Sequence, residues 1–169
     1  MQLKEIDKIR YSKHYKIIFA CIAFVLLIIA PATSALFISL FSNPEGSYFF
    51  HNLAGVVVGV AIVAFGLYKF RQHPYMYEVV YVWDLKQQLN QIRRKQRKIE
   101  AAIENKDKDA MIIMNFMLYG SKQLYELDDN TITMEDLLSK IKIHDERMKA
   151  AGLSSSTDSY NPSMLVGFK

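Results

Sequence analysis

Cysteine is nearly absent from this chain: Cys21 is the only one in 169 residues. One cysteine excludes an internal disulfide and any zinc site built from cysteines. Inside an apolar run it behaves as a small hydrophobe. The four histidines, His14, His51, His73 and His144, are scattered without metal-ligand spacing. No nucleophile elbow, phosphate-binding loop, dinucleotide fingerprint or H-E-x-x-H motif occurs. Ser154–Ser156 have no base beside them in the sequence. The expectation is a protein that is not an enzyme and uses no metal or cofactor.

Charge is missing from two long stretches. Ile17–Phe41 and Gly46–Tyr68 contain no Asp, Glu, Lys or Arg, and Glu45 is the only charge between them. A bilayer core about 30 Å thick needs roughly 20 apolar residues in a helix. Unpaired backbone groups are not tolerated in lipid, so both runs are expected to be helical. Spans at about 17–41 and 48–70 would then form a hairpin, with Asn43, Pro44 and Gly46 supplying turn chemistry. A cleaved signal peptide ending near Ala30, Ala32 or Ala35 is the rival reading. Its apolar region would run to only about 7–15 residues, and this one continues through Phe41.

What lies beside the apolar runs sets orientation. Lys4, Lys8, Arg10, Lys13 and Lys16 precede the first, and Lys69 and Arg71 follow the second. Basic flanks stay cytoplasmic, so both ends of the chain are expected there, with the loop between the spans outside. Tyr11, Tyr15, Tyr48–Phe50, Tyr68, Phe70 and Tyr75 suit the headgroup levels.

Gly55 and Gly59 form a G-x-x-x-G pair, which permits close backbone approach between membrane helices. In a hairpin they would lie opposite Ser34–Ala35 and Ala30–Pro31, which are also small. Packing within the hairpin is the expectation, and homodimerisation the alternative. Pro31 frees the Leu27 carbonyl and predicts a kink, with Thr33 and Ser34 able to satisfy freed groups. No ionisable residue sits in mid-span, which argues against an ion path.

After the apolar runs the chain turns polar. In residues 71–152 basic and acidic residues nearly balance. Tyr75–Trp83 alternates like a strand, but no second strand is available to pair with it. Val82, Leu85, Leu89, Ile92, Ile99 and Ile103 recur at helical steps, with Gln96 in the missing position. That predicts one long helix from about Tyr75 to Ile103, its seam packing on later helices or on a second copy. A second helix is expected over about Asp107–Leu127, started by Asp107 and Asp109 and apolar nearly all round. Its Met111, Met114 and Met117 form a stripe suited to core packing. Asp128–Asn130 lack the spacing of a calcium loop. Thr133 with Asp136 resembles a capping box for a third helix ending at Gly152. Residues 153–169 are expected to be disordered unless Met164, Leu165 and Phe168 dock.

One charge cluster stands out: Arg93, Arg94, Lys95, Arg97 and Lys98. It reads as a solvated face, as a contact for anionic lipid, or as a contact for a partner protein. Nucleic acid is the weakest candidate, because the cluster is short and no recognised binding fold surrounds it.

The segments His73–Met76, Val82–Leu89, Arg97–Ala101 and Gln123–Thr133 resemble a family of gammaproteobacterial membrane proteins classed as a domain of unknown function. The likeness extends over nearly the whole chain. It implies a bacterial inner membrane and two spans, and carries no activity or functional residues. The sequence therefore predicts an all-α protein: a two-helix transmembrane hairpin after a basic segment 1–16, then a cytoplasmic domain of about three helices. The expected role is an adaptor or regulator contacting lipid, another protein or itself. The alternatives are a small transport or channel component, or a membrane-tethered binder of anionic lipid or nucleic acid.

Overall fold

A computed structural model describes residues 1–41 and 47–168. The turn residues Asn43, Pro44 and Gly46 lie outside the described residues. The described chain is all-helical, with no strand. It comprises α1 (Lys8–Phe41), α2 (Phe49–Phe70), α3 (Tyr77–Arg94), α4 (Gln96–Glu104), α5 (Lys108–Leu127) and α6 (Met134–Ala150), with short 3₁₀ turns at Pro74–Met76, Thr157–Ser159 and Pro162–Gly167. It divides into two compact units, Ile9–Val80 and Met1–Lys8 with Tyr81–Lys169. The sequence suggested a division at residue 71.

The first unit holds α1 and α2. Both are long and apolar enough to cross a membrane. Their most apolar windows are only 6% and 11% buried, unlike the mostly buried core helix of a soluble domain. Phe24, Leu27, Phe50 and Phe65 are among the side chains left exposed. The helices touch through small residues. A Cβ on Gly55 would lie beside Ala30 and Ser34, and one on Gly59 beside Ala30 and Leu26. Partner numbers fall as α2 advances, so the pair is antiparallel. Pro31 lies within α1, which continues unbroken to Phe41. The Thr33 hydroxyl reaches the Ile29 and Ala30 carbonyls, at 2.6 and 3.1 Å, rather than that of Leu27. The Ser34 hydroxyl donates to Asn52 Oδ1 across the pair.

In the second unit α5 packs against α4, α6 and both C-terminal 3₁₀ turns. Burial of Ile113, Phe116 and Leu118 agrees with its nearly continuous apolar sequence. Asp107 caps it, accepting from Ala110 N at 2.9 Å. The seam residues Val82, Leu85, Leu89, Ile92, Ile99 and Ile103 are all buried inside the chain. Each such side chain contributes roughly 1.5–3 kcal/mol on leaving water. Gly120 on α5 lets the seam approach closely: a Cβ there would be 3.1 Å from Leu89 and 3.3 Å from Leu85.

Tyr75–Trp83 is helical as expected, a 3₁₀ turn followed by α3. Three expectations need correction. The single helix expected over Tyr75–Ile103 is interrupted at Lys95, whose backbone (φ −108°, ψ 5°) leaves the α region and starts α4. No glycine or proline marks this break. The Lys95 ammonium donates to the Leu165 carbonyl at 2.7 Å, 70 residues away in sequence. Thr133 occupies the N-cap of α6 but forms no side-chain capping bond, so the capping box is not made. The segment after Gly152, expected to be disordered, is docked, with Tyr160 and Leu165 buried.

Gly152 ends α6 as its spacing suggested. It adopts φ +69°, and Gly152 N and Leu153 N bond to the Lys149 and Met148 carbonyls at 3.0 and 2.9 Å. Those two bonds are the Schellman pattern, which favours glycine at this position.

Candidate interaction surfaces

No cluster of three or more metal-ligating side chains exists among the described residues. The informative features are close contacts and open surfaces. In the first unit, Gly55 presses backbone against backbone and Gly59 makes ordinary contact. The glycine face is thus occupied by α1.

The same unit contains a charged cluster that sequence reasoning missed. Glu78, 4% exposed, accepts from Arg10 Nη2 and pairs with His14 Nδ1, each at 3.1 Å. The Tyr75 ring lies over the His14 ring with centroids 3.8 Å apart. Burying a carboxylate is costly unless it is paired and hydrogen-bonded, and this one is both. Helical spacing alone carried a weak signal, since Arg10 and His14 are four residues apart and share a face.

In the second unit, residues before the first apolar helix join those after the second. Tyr81 Oη accepts from Lys4 N at 2.9 Å and donates to Gln123 Oε1 at 2.8 Å. Gln123 Nε2 closes the ring on the Lys4 carbonyl at 2.5 Å. Lys8 pairs with Asp129, and Lys86 with Asp128 at 2.8 Å.

The C-terminal segment lies on α5. Tyr160 stacks on Phe116 with centroids 4.0 Å apart, and Gln88 Nε2 donates to its hydroxyl at 2.6 Å. Burial pushes the Tyr160 phenol up to about 12, against the smaller opposing effect of the Gln88 bond. Asn115, 1% exposed, donates to the Ser155 carbonyl at 3.0 Å.

The five predicted basic residues do not act alike. Arg93, Arg94 and Arg97 are exposed. Lys95 is half-buried and tied to the tail, and Lys98 also has an interaction within the chain. Arg93 belongs to the rim of an open groove of about 520 Å³ between α4, α5 and α6. Met114, Met117 and Leu118 of α5 contribute to its apolar lining, so the methionine stripe is part core and part groove. His144 also borders the groove, yet it is 5% exposed. Burial lowers its pKa below the ordinary 6.5; its bond to the Met111 carbonyl, 2.9 Å long, opposes that shift. Tyr119 donates to Asp145 at 3.0 Å, and burial, then this bond, raises its phenol pKa.

These features define an all-helical protein with two candidate membrane-crossing helices and a separate helical unit. The chain belongs to the family described as protein of unknown function (DUF3087), whose family model matches residues 1–165. Comparison with curated proteins and with solved structures gave no match.

Proposed function

We propose that this protein is a non-enzymatic adaptor of a bacterial inner membrane. In this reading α1 and α2 are the anchor, both flanking segments are cytoplasmic, and the second unit presents a contact surface to another protein. The observation that carries the proposal is the contrast between the units. One exposes apolar side chains along two long helices; the other has a buried core and a charged exterior. The ring formed by Lys4, Tyr81 and Gln123 supports placing the flanking segments on one side. A transport role finds less support, since the glycine face is closed against α1 and the apolar runs hold no Asp, Glu, Lys or Arg.

Arg94 and Arg97 are the candidate contact residues, because both are exposed and neither ties the fold together. The test is chemical crosslinking of the full chain in native membranes, comparing wild type with Arg94→Glu/Arg97→Glu. The expected result is a discrete heterologous adduct that the variant loses. An adduct pattern containing only copies of this chain would sink the adaptor reading.

A further inference from the structure

The walls of the groove between α4, α5 and α6 carry opposite charge. Glu100 and Glu104 line the α4 side, with Arg93 at the end where α3 gives way to α4. Lys140 and Arg147 line the α6 side. Asp136 precedes Lys140 by four residues, which places it on the same helical face. Read along the groove, one wall runs basic, acidic, acidic; the other runs acidic, basic, basic. Glu104 and Arg147 also line one further pocket together with Ala150 and Ala151, so they mark the same end of the groove. Among the described residues no ion pair joins the walls, and Glu100 bonds only to Gln96 of its own helix. All six charged side chains are exposed. The floor between them contains Ile103, Met114, Met117 and Leu137.

We infer that this groove is the self-association surface of the protein, occupied by the same groove of a second copy. The charge pattern selects that occupant. A two-fold interface brings residue i against j and j against i. With the axis along the groove, each α4 wall lies over the partner's α6 wall. Glu100 and Glu104 then meet Lys140 and Arg147, Arg93 meets Asp136, and each pair forms twice. With the axis across the groove, like walls would face each other in reversed order: Glu100 would face Glu100 and Lys140 would face Lys140 near the middle, and only the end residues, Arg93 with Glu104 and Asp136 with Arg147, would meet opposite charge. In the favoured arrangement the charged rims meet and shield the apolar floors from bulk solvent. An anionic or cationic small ligand would complement only one wall. The other two surfaces that the sequence offered for pairing, the glycine face and the α3–α4 seam, are already used inside the chain. This inference concerns assembly, and it stands or falls separately from the adaptor reading.

Two charge reversals test it in the full chain. Glu100→Lys/Glu104→Lys makes both walls basic at these positions, and Lys140→Glu/Arg147→Glu makes both acidic. Two differently tagged copies are co-expressed and captured from membranes through one tag. Wild type is expected to retain its second copy. Each reversed variant paired with itself should retain at least about tenfold less, from like-charge repulsion at four positions. The two variants paired with each other should recover to within about twofold of wild type, because every contact is again between opposite charges. That recovery also establishes that both variants are folded. The inference is overturned if wild type captures no second copy, if either variant still self-captures at the wild-type level, or if the mixed pair fails to recover while both variants keep wild-type helical circular dichroism.

Discussion

At Gly55 a methyl group would sit 2.7 Å from the Ala30 carbonyl oxygen and 2.8 Å from Ser34 N. These are backbone atoms in a helix, so neither can swing away. At Gly59 the nearest atoms are 3.5 Å away, an ordinary contact. Gly55→Ala should therefore destabilise the helix pair by about 1–3 kcal/mol, the usual cost of overpacking. Gly59→Ala should be neutral or slightly stabilising, since alanine is the better helix former. Unfolding of both variants in mild detergent separates the two outcomes, and equal behaviour would contradict the close contact. His144 supplies a pH dependence. Its folded-state pKa lies below the ordinary 6.5, so between those values the unfolded chain holds more protons. Stability should fall as pH drops from about 7 through that window, and should be insensitive to this group above it. Denaturant midpoints between pH 5 and 8 should show the decline in wild type and a shallower one in His144→Gln.

At the scale of elements, the C-terminal segment is the clearest case of tertiary contacts deciding local structure. Residues 153–168 have little periodicity of their own, yet Tyr160 is anchored by Phe116 and Gln88, and Lys95 holds the Leu165 carbonyl. Tyr160→Ala should release the segment. Limited proteolysis should then cut within residues 154–168 about tenfold faster or more, whereas Tyr160→Phe, which keeps the stack, should change much less. Equal cleavage of the alanine variant and wild type would mean that the segment is held elsewhere. Because the docked phenol has its pKa raised to about 12, docking should also weaken as pH rises from 10 towards 12. The same contacts explain what could be read in advance. The ends of α5 and α6 were legible from Asp107 and Gly152, which act through their immediate neighbours. The break at Lys95 was not, because no glycine or proline marks it.

At the scale of the whole molecule, the two apolar helices were legible because charge is absent over more residues than a bilayer requires. The opposed groove walls were not, since Glu100, Glu104, Lys140 and Arg147 become neighbours only when α4 and α6 flank α5. The Arg10–His14–Glu78 cluster was hidden in the same way, its members being 64 residues apart in the His14–Glu78 pair. The proposed topology has a direct check. In a Cys21→Ala background, Ser47→Cys should react with a membrane-impermeant maleimide added to intact spheroplasts. Ser159→Cys should react only after permeabilisation. The reverse labelling would invert the anchor and remove the cytoplasmic adaptor from consideration.

The ring of bonds joining Lys4, Tyr81 and Gln123 has a consequence for synthesis. Lys4 leaves the ribosome 119 residues ahead of Gln123. At about 5–20 residues per second, that interval is on the order of ten seconds. In the proposed topology, both apolar helices are delivered to the bilayer during that interval while the leading segment stays behind. Translocating that segment would separate it from its partners for good. In that topology the bonds that complete the helical unit would also record correct insertion, made only by chains whose first residues were retained.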